Sequence, residues 1–210
     1  MSRPAMARTG LAGALACTLA CTLAACGTSA PVRYFTLEAV SGAVITRGGG
    51  PVQVGVVHLP EVLDRRGLTH ASGPGELAVA DSALWAAPLP DLVRDTLRAD
   101  LGQRLGYERL ARTDAPPTPA TRLVAVDFPL LSADEHCSVR LLAAWTITAP
   151  EQAQATAGAV QGPAGDGEVR GSLETTAAAA ACPEGLPAAL SAALGRVSDG
   201  IAAALGNSKP

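Results

Sequence analysis

Apolar positions recur every third or fourth residue in two stretches of the chain. Leu89, Val93, Leu97, Leu101 and Leu105 form one stripe, and Leu186, Leu190, Leu194, Val197, Ile201 and Leu205 form the other. That period lays the side chains along one side of an α-helix, so both stretches are expected as core-packing helices. Pro90 in the first turn, Asp91 beside the positive end of the dipole and Gly106 past the last leucine mark the ends of the first helix.

A period of two appears elsewhere. Val124, Val126, Phe128 and Leu130 share a face within Leu123 to Leu131, and Val139, Leu141, Ala143, Trp145 and Ile147 alternate in the same way. These runs predict adjacent antiparallel strands. Glu168 to Ala177 reads as another strand, with Val169, Gly171, Leu173 and Thr175 on one face, beyond a Gly/Ala/Gln hairpin tip at Ala149 to Gly167. Upstream, Tyr34 to Glu38 is a compact β-like run and Val40 to Pro51 a loop. Val52 to Val57, rich in β-branched residues, reads as a central strand, and Leu68–Ala71 with Glu76–Ala80 as a hairpin turning at Ser72-Gly73-Pro74-Gly75. Two strand–strand–helix halves emerge. The expected fold class is α/β: a two-layer domain whose mixed, mostly antiparallel sheet is covered by two main amphipathic helices.

The first 25 residues follow a different pattern. Arg3 and Arg8 precede an apolar run from Leu11 to Ala25 that is too short for a spanning helix, which describes a secretory signal. Leu23-Ala24-Ala25-Cys26 resembles the bacterial lipobox, in which the Cys is acylated and becomes residue one of a lipoprotein. The alternative is a plain signal cut near Ala25 that leaves Cys26 an ordinary thiol. Cys17 and Cys21 lie inside the apolar run and leave with it. Gly27 in place of Asp after the Cys resembles lipoproteins sorted to the outer membrane. The domain plan is therefore 1–25 lipoprotein signal peptide, 26–33 lipidated tether and 34–206 a single α/β domain.

Composition narrows the partners. Without the signal, the chain carries 14 Lys+Arg against 19 Asp+Glu, and no basic cluster stands out, which argues against nucleic acid. No Gly-x-Ser-x-Gly elbow, phosphate loop or His-Glu-x-x-His helix occurs. His58, His70 and His136 are far apart in sequence, and Asp134-Glu135-His136-Cys137 is too contiguous to converge on an ion, so it reads as a solvated turn. The expectation is no enzyme, no cofactor and no metal.

Several blocks in order carry a family resemblance: Tyr34-Phe35-Thr36-Leu37, Val54 to Pro60, Leu63-Asp64-Arg65, and Trp85-Ala86 with Pro88-Leu89 ahead of a helix. The chain resembles the ABC-type transport auxiliary lipoproteins, which include the paraquat-inducible protein C group and are also described as membrane integrity-associated transporter subunits. After Asp64-Arg65 it departs from the usual pattern, with Arg66-Gly67 where a Pro and a polar residue are commoner. The resemblance implies a non-enzymatic component at the periplasmic face of the outer membrane. It would work beside an ABC permease, an ATPase and a mammalian-cell-entry (MCE) protein that move lipids or other hydrophobic molecules across the envelope. The rival is a structural envelope lipoprotein that assists outer-membrane assembly without a transporter.

Two readings attach to the Leu59, Pro60, Glu61, Leu63, Asp64, Arg65 segment: a strand end broken by Pro60 with a local turn, or a loop that docks a transporter partner. Trp85 is either a core anchor or a binding hot spot. Cys137 and Cys182 are the cysteines left in the exported domain once Cys26 is acylated. If the strands after Cys137 and before Cys182 form a hairpin around the Ala149–Gly167 tip, the two cysteines lie opposite each other, and a disulfide is expected in an oxidising periplasm. The alternative is two reduced thiols.

Overall fold

The computed structural model describes residues 31–46, 49–63, 65–149 and 168–207. Two helices form where the apolar stripes predict them: α1 spans Leu89–Leu105 and α2 spans Leu186–Asn207. All eleven stripe residues are buried at 5% exposure or less. Gly106 ends α1 at φ 93°, a left-handed conformation that favours glycine. By length and composition α2 could cross a membrane, yet its apolar residues sit inside the domain core.

Seven strands form two sheets. The larger has the order β2 (Val52–His58), β5 (Arg122–Ala133), β6 (Val139–Thr148), β7 (Val169–Ala177). The smaller has the order β1 (Arg33–Phe35), β4 (Glu76–Trp85), β3 (Gly67–Gly73). The α/β reading holds, and β5–β6 and β6–β7 pair antiparallel as expected. The sheet layer is split in two, however, and β1–β4 and β2–β5 pair in parallel, each partner arriving from a distant part of the chain. Both helices pack on the larger sheet, α1 against β2 and α2 against β6 and β7, and against each other. The hairpin-tip residues 150–167 lie outside the described residues, as does the whole segment 1–30.

Three local expectations are corrected. Leu131, not Leu130, is the buried residue at the end of β5. Between the pairs Asp127↔Ala144 and Leu130↔Leu142, β5 uses three residues where β6 uses two, and this bulge, at Pro129, inverts the alternation. β2 is an edge strand and not a central one. It reads as central because its outer side is covered: Ala111 donates to the Val52 carbonyl at 2.8 Å, and buried Gln53 donates through Nε2 to the carbonyls of Arg112, Thr113 and Ala115 at 2.9–3.1 Å. A second bulge brings both Val54 and Val57 inward while Val56 faces solvent.

The Tyr34 to Glu38 run, expected as a strand throughout, is one only to Phe35. Beyond it the chain becomes a strap laid along the two helices, because its backbone groups find partners on them. Glu38 N donates to Ser191 Oγ at 3.0 Å, Val40 N to Asp100 Oδ1 at 2.6 Å and Ile45 N to the Arg104 carbonyl at 2.7 Å. Gly42 is needed here, since a Cβ would run into the Arg104 guanidinium and the Asp199 carboxylate.

Candidate functional site

The blocks that carry the family resemblance converge on one corner of the domain. β2 ends at His58, and Pro60 cannot donate to a continuing ladder. The chain turns through a short 3-10 helix, Glu61–Leu63, closed by Leu63 N to the Pro60 carbonyl at 2.9 Å and Arg65 N to the Leu63 carbonyl at 2.8 Å. Arg65 Nε also reaches the Val62 carbonyl at 3.3 Å. β3 then begins, and Trp85 at the end of β4 returns to this point, its N–H donating to the Arg66 carbonyl at 2.7 Å. Ala86, Ala87 and Pro88 lead into α1.

The seven residues singled out from sequence divide by exposure. Glu61 and Arg65 face solvent, together with Val62 at 45% exposure. Leu59, Pro60 and Leu63 are half-buried, and both leucines pack against the core. Trp85 is 4% exposed, so its indole is a core anchor, and the exposed surface beside it is that of Ala86–Pro88. Asp64 lies outside the described residues. The loop therefore has a local turn structure and also an outer face; the two sequence readings are compatible.

Beneath the turn lies a narrow apolar recess, a slot of about 30 Å3 with room for little more than a water molecule. Leu63 and Trp85 line one part, Leu89 the start of α1, Leu131 and Val139 the β5–β6 hairpin, and Leu186 and Leu190 the start of α2. The walls are almost wholly apolar because each helix and strand presents its core-facing stripe there, and no side chain large enough to fill the space occupies Ala133. A second, more polar cleft lies next to it, lined by Arg65, Arg66, Ala86, Ala87 and Pro88 and sharing Trp85 as a wall. Among the described residues, neither Arg65 nor Arg66 pairs with a carboxylate.

The wall of the slot is stapled covalently. Cys137 and Cys182 are joined by a disulfide with their Cα atoms 5.3 Å apart. Cys137 ends the β5–β6 turn at φ 59°, and Asp134 organises that turn by accepting from the N–H groups of His136 and Ser138 at 2.9 and 2.8 Å. The Asp134-Glu135-His136 cluster is thus an exposed turn built on one carboxylate. His70 of β3, distant in sequence, comes within 4.8 Å of both sulfurs. While the cysteines are bonded to each other they offer no thiolate, so this trio is not a metal site in the oxidised protein.

At the opposite ends of the helices sits the main buried charge. Arg104, fully buried, donates to Asp199 Oδ1 at 2.7 Å, to the Val40 and Asp100 carbonyls at 2.8 and 3.0 Å and to the Gly195 carbonyl at 2.9 Å. Asp100, also fully buried, accepts from Val40 N and from Ser198 Oγ at 3.1 Å. Burial pushes the Asp100 carboxyl above its ordinary value, while the Val40 amide, the Arg104 charge and the Ser198 hydroxyl pull the other way. Every partner belongs to the domain itself, although the Asp199 side chain is 52% exposed at the rim, so this cluster is a structural clamp. Periodicity in α1 conceals it, because Asp100 and Arg104 flank the stripe at the i, i+4 spacing of an ordinary surface pair.

Comparison with known proteins agrees with the architecture. The fold is similar to a crystal structure described only as an uncharacterized protein, with a TM-score of 0.61 and 15% identity over 83% of this chain and 98% of that one. It is similar also to protein XCC0632 from Xanthomonas campestris, a DUF330 structure, with a TM-score of 0.59 and 14% identity over 82% and 93% of the two chains. No curated protein matches the sequence. Residues 35–202 match the model of the ABC-type transport auxiliary lipoprotein component, and the chain belongs to that family. The family is one of transport components and not of enzymes, and a membrane-associated, periplasmic setting goes with it.

Proposed function

We propose that this protein is exported, acylated at Cys26 and held at the periplasmic face of the outer membrane, where it serves as the auxiliary component of an MCE-type ABC system that moves lipids or other hydrophobic molecules. The observation that carries the reading is the coincidence of Leu23-Ala24-Ala25-Cys26 with a family match that begins nine residues beyond that cysteine. Acyl chains stabilise membrane attachment by ~0.8 kcal/mol per buried methylene, and two or more chains anchor firmly without any spanning helix. In this reading the partner is an MCE protein working with an ABC permease and ATPase, and it meets the outer face of the Leu59–Arg65 turn.

Two experiments test it. Radiolabelled palmitate should enter the wild-type protein and not Cys26→Ser, and the wild type should fractionate with the outer membrane; unchanged labelling and attachment in Cys26→Ser refutes the anchor. Photocrosslinkers at Glu61, Val62 and Arg65 should trap an MCE protein in cells. Absence of any adduct at all three positions, with the protein folded, leaves the structural envelope lipoprotein as the better account.

A further inference from the structure

Sequence order puts Cys137 beside His136, whereas the fold puts it beside His70. His136 is exposed, in the turn that Asp134 organises. His70 comes instead from β3, and one of its ring nitrogens and the sulfurs of Cys137 and Cys182 all lie within 4.8 Å of one another. Its Nδ1 is buried and has no hydrogen-bond partner. A buried ring nitrogen without a partner is costly, and no bond at that atom stops the imidazole turning towards the sulfurs. Cys137 is fully buried, while Cys182 and His70 are each partly exposed, so the trio is sheltered and still reachable by a small ion.

We propose that the reduced domain holds one Zn2+ between the Cys137 and Cys182 thiolates and a His70 ring nitrogen, so that metal and disulfide are alternative cross-links at one place. Two thiolates and an imidazole suit zinc, and with three protein ligands the fourth position falls to water. Zn–S bonds of about 2.3 Å and a Zn–N bond of about 2.0 Å, at tetrahedral angles, set the sulfurs about 3.8 Å apart and each about 3.5 Å from the nitrogen. The sulfurs must part and the imidazole must close in by less than ~2 Å each, which side-chain rotation supplies. The redox step is an exchange with a dithiol. The dithiol gives up two electrons and two protons and becomes a disulfide, while the Cys137–Cys182 bond opens to two thiols. Zinc binding then releases both thiol protons. A chain that enters an oxidising compartment still reduced meets the two cross-links in the opposite order: zinc withholds the thiolates from an oxidant until it leaves.

The test uses the chain from residue 26 onward with Cys26→Ser, in which Cys137 and Cys182 are the only thiols. The protein is reduced with excess dithiol, freed of it under argon and titrated with Zn2+ against a chromophoric chelator. One Zn2+ per chain is expected for the reduced protein and none for the oxidised protein. Co2+ in its place should give thiolate-to-metal charge-transfer absorption and the intense d–d bands of a tetrahedral site. His70→Ala should weaken Zn2+ at least about tenfold and alter the Co2+ bands, while His136→Ala should change neither. His70→Ala retains both cysteines, so its folding is checked in the oxidised form. Equimolar Zn2+ should also slow reoxidation of the wild type by a small disulfide, and a chelator should restore the rate. Failure of the reduced chain to bind Zn2+ stoichiometrically, or equal binding by the oxidised chain, overturns the proposal. Binding that survives His70→Ala, whether the reduced chain stays folded or not, or that is lost in His136→Ala instead, overturns it as well.

Discussion

The two helices run side by side in the same direction, and their two ends are built in opposite ways. At the N-terminal ends, Leu89, Leu186 and Leu190 border an unfilled apolar slot under a surface turn. At the C-terminal ends, Arg104, Asp100, Ser198 and Asp199 fill the space with charge, and the strap through Val40 completes their hydrogen bonding. A fully satisfied polar cluster in low dielectric is rigid and intolerant of change. Apolar walls that do not meet forfeit dispersion contacts and so stand at the compliant end of the stability range. One end of the helix pair is tied together by charge, and the other is bordered by apolar walls that do not fully meet.

The largest loss of stability is expected from Arg104→Met. It strands Asp100 in the core without its counter-charge, and the expected loss is about 3–5 kcal/mol in urea unfolding. The double variant Asp100→Asn with Arg104→Met should recover part of that loss; if the single variant unfolds like the wild type, the clamp is not what holds the helix ends.

Removing the staple beside the slot should cost less. Cys137→Ser with Cys182→Ser opens a loop with a sequence separation of 45 and is expected to lower stability by ~2–4 kcal/mol. Thiol titration of denatured, unreduced protein taken from the periplasm should find neither Cys137 nor Cys182 free. Two titratable thiols would instead show that the slot wall is held by packing alone.

A smaller, pH-dependent effect separates the ends further. Because burial raises the carboxyl of Asp100, the folded protein holds that proton more tightly than the unfolded chain, whose carboxyl titrates near 3.8. This group's contribution to stability is therefore fullest below that value and declines as pH rises through the folded pKa. Relative to Asp100→Asn, which does not titrate, the wild type should gain stability as pH is lowered from neutrality towards 4. A difference that is flat with pH, or that shrinks in acid, contradicts the burial argument.

The smallest effect on stability is expected at the exposed turn. Glu61→Ala and Val62→Ser touch nothing buried and should stay within about 0.5 kcal/mol of the wild type. Their consequence belongs to partner capture, read by crosslinking yield from a neighbouring position. A turn substitution that destabilised as strongly as the staple would mean that the turn is part of the core.

What was legible from the sequence were the parts whose physics is local and periodic. Both helices and the strands of the β5–β6–β7 meander follow from spacing, because a repeat of 3.6 or 2 fixes which side chains share a face, and the stop at Gly106 follows from the residue type. The site was partly legible: the Leu59–Arg65 block and Trp85 stand out as a pattern, and Pro60 announces a strand end. Three things were decided only in three dimensions. The bulge at Pro129 exchanged Leu130 for Leu131 in the core, since register depends on the partner strand. The strap beyond Phe35 gave up strand pairing because Asp100, Ser191 and the Arg104 carbonyl, remote in sequence, offered its backbone partners. The slot exists because the starts of two helices, a hairpin end and a turn meet without filling the space between them; a void is a property of the packing of all its walls and leaves no mark on any one of them.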